Sequence, residues 1–153
     1  MGAYRGADTL ISFSVCKKAD ITNSNPSALT YLEGGMFRGK TMTGKWSDAD
    51  VTADKSADHI KSSIVTFRED MLKVDGIAYD DAIYNQEALR DAILYPDATT
   101  QGGEPYMWIK PQHAVYGTEY FPVVGTSWED GNPYDGGITF SAEFKSVGKR
   151  IKG

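Results

Sequence analysis

Hydrophobic and polar positions alternate most cleanly near the end of the chain. Ile138, Phe140, Ala142 and Phe144 fall on one set of positions, and Thr139, Ser141, Glu143 and Lys145 on the other. Successive strand side chains point to opposite faces, so this pattern predicts a strand with one buried side and one wet or partner-facing side. Upstream, residues 119–128 are rich in aromatic and β-branched types, which suit a pleated, half-buried surface. Residues 129–137 place Gly, Asn, Pro or Asp at nearly every position, the chemistry of a turn. A long antiparallel hairpin over 119–147 is therefore the element around which the rest of the chain is arranged.

Residues 9–16 repeat the alternation, with Ile11, Phe13 and Val15 against Ser12, Ser14 and Cys16. Residues 21–28 read as a loop, 29–32 as a short strand and 35–43 as another. Residues 44–62 show little periodicity and many small polar types, which predicts a long loop; loops beyond ~12–15 residues in compact domains are commonly functional or disordered. Trp46 is the exception within it and suggests either an interface anchor or a side chain folded back on the core. Residues 63–74 predict a strand broken by a bulge or turn at 68–70. The period then changes: Ala88, Leu89, Ala92 and Ile93 give the 3.6 spacing of an amphipathic helix over about 85–94, with Asn85 placed to cap it and Pro96 ending it. Residues 97–104 form a loop, 106–110 a strand, and 111–117 a turn into the hairpin. The expected class is mainly β: an antiparallel sandwich or barrel, one flanking helix and a long loop, all in a single domain of 153 residues with an arm at 1–8 and a basic tail at 148–153.

Composition narrows the function. No apolar run approaches the ~18 residues of a membrane span, and the first residues lack a signal peptide's hydrophobic region. Gly2 invites a myristoylation reading, but Gly6 stands where Ser or Thr is needed. A single Cys16 excludes an intrachain disulfide. The net charge of −5 argues against a nucleic-acid binder with a basic face, though not against a protein that lets DNA pass. Charge is also segregated. Asp48, Asp50, Asp54 and Asp58 cluster in the 44–62 segment, whereas Lys145, Lys149, Arg150 and Lys152 crowd the last nine residues. The bland account is solvated loops; the sharper one is complementary ends that meet between subunits.

Catalytic and ligand motifs find no support. Residues 34–41 satisfy the phosphate-loop pattern, but the residues after them include Gly44 and lack the apolar stripe of the helix that mechanism requires. Asp130, Asn132 and Asp135 alternate like calcium ligands, yet Ala142 stands where the closing Glu belongs. His59 and His113 lie far apart with no ligand spacing around them, and no Ser sits in a nucleophile elbow. No enzyme activity, cofactor or metal is expected.

The order of elements resembles that of the major tail tube proteins of long-tailed bacteriophages over roughly residues 40–148. The resemblance is carried by Val51-Thr-Ala-Asp54 in the long loop, Glu87 to Ile93 in the helix, and Tyr106-Met-Trp-Ile109 in the strand after it. It continues through Tyr120 to Thr126, the Pro133-Tyr-Asp135 turn and the strand from Gly137 to Phe144. It implies a structural virion protein, assembled in the host cytoplasm, whose six copies form a ring. The rings stack into a hollow tail tube that conducts DNA without binding it. Partners implied are further copies of the chain, a tape measure protein, a tail terminator and distal tail or baseplate proteins, with no membrane. Given that architecture, four tilted strands per copy make ~24 strands, which close a barrel about 50 Å across at the backbone with a bore on the order of 40 Å. A lumen that ignores phosphate suits short hydroxyls or acids: Ser12 and Ser14 on one candidate face, Thr139, Ser141 and Glu143 on the other. Contacts between rings are expected from Trp46, Asp48, Asp50, Asp54 and Asp58 meeting Lys149, Arg150 and Lys152. The alternative is a monomeric ligand- or carbohydrate-binding β-sandwich module, for instance one that holds a saccharide with Trp108, Tyr116, Tyr120 and Trp128.

Overall fold

The computed structural model describes residues 10–21, 25–34, 36–50, 63–78, 85–134 and 136–153. Its strands are β1 (Leu10–Val15), β2 (Leu32–Glu33), β3 (Met36–Asp50), β4 (Ser63–Ile77), β5 (Tyr106–His113), β6 (Gly117–Gly131), β7 (Thr139–Ser146) and β8 (Ile151–Lys152), with one helix, α1 (Gln86–Leu94), between β4 and β5. The strands hydrogen-bond in the order β2-β1-β5-β6-β7-β4-β3, all antiparallel, and β8 pairs with β6 off this path.

The predicted hairpin is β6 and β7. Gly131 pairs with Thr139 and Val123 with Ser146, and a register shift falls between Gly125 and Ser127. Burial follows the alternation: Phe140, Ala142 and Phe144 are buried, while Thr139 and Lys145 are exposed. β6 pairs with β5 along its first half and with β7 along its second, the two ladders overlapping at Val123 and Val124 just before the bulge. The sheet consequently folds over one core, in which Ile11, Phe13, Met107, Ile109, Phe121 and Val123 meet Leu72, Val74, Ala142 and Phe144. Helix α1 closes that core with Leu89, Ala92 and Ile93. Its approach is close: a Cβ at Gly125 would stand 2.8 Å from Ile93 Cγ1, so the glycine makes room for the helix. Asn85 holds the capping position, though its side chain does not cap the helix, and its backbone N–H donates to the Glu33 carbonyl. At the other end the buried Gln101 amide donates to the Ala92 carbonyl, satisfying one of the acceptors a helix end leaves open.

Several boundaries differ from the sequence reading. The expected 44–62 loop is strand as far as Asp50, with Gly44 paired to Asp70 and Asp50 to Ser63. Its alternation is missing because the exposed side chains from Thr43 to Ala49 bury neither face. Residues 51–62, including Asp54 and Asp58, lie outside the described residues, as do 1–8 of the expected arm. The predicted break at 68–70 appears a little earlier, as a register shift opposite Trp46 and Asp48. The strand expected at 29–32 shrinks to Leu32–Glu33, after a 3-10 turn at Pro26–Ala28. Strand β5 passes through Pro111, paired with Ile11, to His113. Pro111 falls in a gap of the β5–β6 ladder, between the Ile109–Phe121 and Gln112–Thr118 pairs, where its missing N–H is tolerated. The basic tail is not a loose end: Tyr120 pairs with Ile151 and Glu119 with Lys152.

A smaller cluster of Cys16, Ile21 and Trp108, with Tyr31, Tyr106 and Tyr120 against it, covers the opposite side of β1 and β5. Burial, helped by the charge of Asp20, pushes the Cys16 thiol up to about 11. Iodoacetamide at pH 8 is expected to leave the native chain unmodified and to label Cys16 only after denaturant is added. Labelling of the native protein at the unfolded rate, read by intact mass, would contradict this burial.

Candidate assembly surfaces

Three surfaces stand out, and the first is a projecting ribbon. β7 pairs with β4 only from Met71 to Ile77, so among the described residues the Gly44–Asp50 half of β3 and its β4 partners extend beyond the sheet as two strands alone. Trp46 is 55% and Phe67 77% exposed on it. A two-stranded hairpin is marginal by itself in water. This one is tied down at its base. Asp70, only 3% exposed, accepts from Arg68 Nε and Nη2, both at 2.9 Å, and pairs with Arg150 Nε at 2.9 Å. Its own N–H donates to Ser146 Oγ at 3.1 Å. Arg150 also reaches Glu119 at 3.6 Å, and Glu119 meets His113 at 3.6 Å. Arg68 lies over the Trp46 ring. Trp46, Arg68, Asp70, Ser146, Gly148 and Lys149 line a cavity of about 530 Å³ at the ribbon's base.

The second surface is the outer face of β6, β7, β4 and β3. Ser141 and Glu143 lie on it across from Asp75 and Lys73 of β4. Lys73 is paired with Glu143 at 3.2 Å and Lys145 with Glu69 at 3.8 Å, so these two lysines carry counterions on the face itself, and Lys45 stands opposite Glu69. With Glu129 beside Ser141 and Thr41 beside Lys73, the face is polar, hydroxyl-rich and more acidic than basic. The other candidate lumen residues are placed differently. Ser12 stands opposite Lys110 and Ser14 opposite Trp108, half-buried on the side that carries the smaller cluster.

The third surface is the end of α1. Leu94 and Tyr95 are exposed, and Asp91, Tyr95 and Asp97 border a groove whose floor is Phe13, Val15 and Ala92. The N–H groups of Thr100 and Thr99 hold the Asp97 carboxyl below its usual range.

The expected ring-contact residues thus divide. Trp46 and Lys149 share one cavity. Asp48 and Asp50 lie further along the ribbon. Arg150 is engaged by Asp70 and Glu119 of its own chain, and Lys152 is in β8. Asp70, the hub of this cluster, is not distinguished by the sequence, where it looks like any acid in a strand. The four aromatics of the carbohydrate alternative form no platform. Trp108 is 2% exposed, and Trp128 is stacked on Phe140 with ring centres 5.1 Å apart. Among the described residues no group of His, Cys, Asp or Glu could hold a metal, and no helix is long and apolar enough to cross a membrane.

No family model matches the chain, and no curated protein does. Solved structures do. The tail of an empty gene transfer agent particle, refined helically with C6 symmetry, superposes with a TM-score of 0.73 at 16% identity, covering 99% of this chain and 100% of that one. A chain of a native gene transfer agent virion gives 0.68 at 16% identity, covering 97% and 98%. The SPP1 tail tube gives 0.63 at 12% identity, covering 97% of this chain and 78% of that one. A chain from the baseplate of the anti-feeding prophage gives 0.57 at 7% identity over 99% and 97%. The fold is that of phage and gene-transfer-agent tail tube proteins, over the whole length of this chain.

Proposed function

We propose that this chain is a structural virion protein whose copies form six-membered rings, stacked into the hollow tube of a phage-like tail that conducts a genome. The observation that carries the reading is the projecting ribbon on a tail-tube fold: two strands with exposed aromatics, braced at the base and, among the described residues, with no third strand beside them. Such a ribbon gains its stabilisation from another copy, and ring neighbours would occupy the open outer edge of β3. The outer face bearing Thr139, Ser141 and Glu143 is the proposed lumen wall, because Lys73 and Lys145 on it are paired with acids of the same face, which weakens counterion-releasing contact with phosphate. Other partners in this reading are a tape measure protein, a tail terminator and distal tail proteins.

Electron microscopy of the concentrated chain tests it: tubes or stacked rings are expected, with Ser141 lining the bore. Monodisperse particles, or tubes with Ser141 outside, would refute the tube or the wall respectively. Replacing residues 47–67 by an Asn-Gly turn joins Trp46 to Arg68, which already face each other, and suits a two-residue hairpin. The shortened chain should sediment as a folded monomer and make no tubes; tubes of normal length would remove the ribbon from the assembly.

A further inference from the structure

The ribbon's base and the helix end are complementary in charge and in character. The cavity at the base has an aromatic wall, Trp46, and carries Arg68 and Lys149. The acid that lines it, Asp70, is already saturated by Arg68 and Arg150. The end of α1 presents the reverse: Tyr95, 68% exposed, between the carboxylates of Asp91 and Asp97. Arg90 lies over one face of the Tyr95 ring and is itself paired with Asp130 at 3.0 Å, which leaves Asp91 and Asp97 as the charges not balanced by it.

These two surfaces lie far apart within one molecule. Leu32 of β2 borders the helix groove, and β3 begins shortly after it, at Met36. Trp46 stands further along β3 by a distance of about 30 Å at the usual strand rise of roughly 3.3 Å per residue. Complementary surfaces at separate places on one chain make a head-to-tail contact, which closes into a ring or continues as an open stack according to the rotation between copies.

We infer that the Trp46–Arg68–Lys149 cavity of one copy receives the Asp91–Tyr95–Asp97 helix end of the next. The inference rests on the tube reading and names the surface that the ribbon's base engages. Tyr95 would enter beside the Trp46 ring, where aromatic pairs favour offset or edge-on contact, while Asp91 and Asp97 approach Lys149 and Arg68. The sequence alone suggests the acidic 44–62 segment meeting the basic tail. Here the tail's Lys149 and the ribbon's Arg68 act together, and the acids come from the helix.

A photocrosslinking p-benzoyl-phenylalanine in place of Tyr95, in the full chain at assembling concentration, tests it. The expected products join this position to residues 44–50 or 146–149 of a second chain. In parallel, Asp91→Lys and Lys149→Glu should each lower the polymerised fraction at least tenfold in a pelleting assay, and the double variant should recover most of it. Circular dichroism of the unpolymerised variants should match the unaltered chain. Crosslinks to other segments, or a double variant no better than the singles, overturn the inference while intact tubes leave the tube reading standing. An unaltered chain that never polymerises overturns both.

Discussion

Phe121→Ala lowers the melting temperature further than any surface change. Phe121 is completely buried, stands opposite Ile109 and has the Arg150 guanidinium 5.8 Å above its ring. Truncating a buried Phe to Ala costs about 3–5 kcal/mol, from lost transfer energy plus the cavity left behind. In a domain of this size each kcal/mol moves the midpoint by roughly 2–4 °C, so a fall of about 6–20 °C is expected in a circular-dichroism melt. Tyr134→Ala is the control, since that ring stands fully in solvent; it should stay within about 0.5 kcal/mol. A Phe121→Ala loss no larger than the control's would mean that the fold over β6 is not where the core gathers.

Asp70→Ala has the next largest effect, for an electrostatic reason. Removing one partner of a buried ion pair leaves the other uncompensated, at a cost of about 3–5 kcal/mol when both are deeply buried. Asp70 is deeply buried, but Arg68 and Arg150 retain partial exposure, so the lower end, about 3 kcal/mol, is expected here. The consequence is spatially distinctive, because Asp70 joins the ribbon to the chain's last strand. Hydrogen exchange should show the Gly153 amide, which donates to the Thr118 carbonyl, and the Val147 amide, which donates to Pro122, exchanging earlier in the variant. Moderate salt should restore little, since buried pairs are screened less than surface ones. An unchanged melt with β8 still protected would show that the tail holds without its ion pair.

How much of this was legible in the sequence depends on whether a segment buries one face. β7 buries one side and exposes more of the other, and β1 sets its apolar core side against small hydroxyls, so their period of two is written in Ile11, Phe13 and Val15 and in Phe140, Ala142 and Phe144. Helix α1 buries Leu89, Ala92 and Ile93 and is equally plain. The outer half of β3 buries neither face, and its pairing is a matter of backbone bonds that Lys45, Trp46 and Ser47 do not advertise. The same limit applies to the candidate site. Trp46 and Lys149 are visible as an odd aromatic and a tail cation, whereas Asp70 acquires its role only when β4 brings it beside Arg150, some eighty residues away in sequence. Pro111 misleads in the opposite direction, because a residue that usually ends strands is placed where a ladder bond is already absent. The order of elements, by contrast, survives such local errors, and it is the property shared with the tail-tube structures.

The ribbon leaves the molecule on one side only, and that has a bearing on anything made from many copies. An object built by such units has a direction, like a stack of cones: one terminus shows ribbons, the opposite one shows vacant seats. Each terminus can then be recognised by a different protein. In a stack of the proposed kind every added unit recreates the terminus it covered, so the contact between units sets no length by itself.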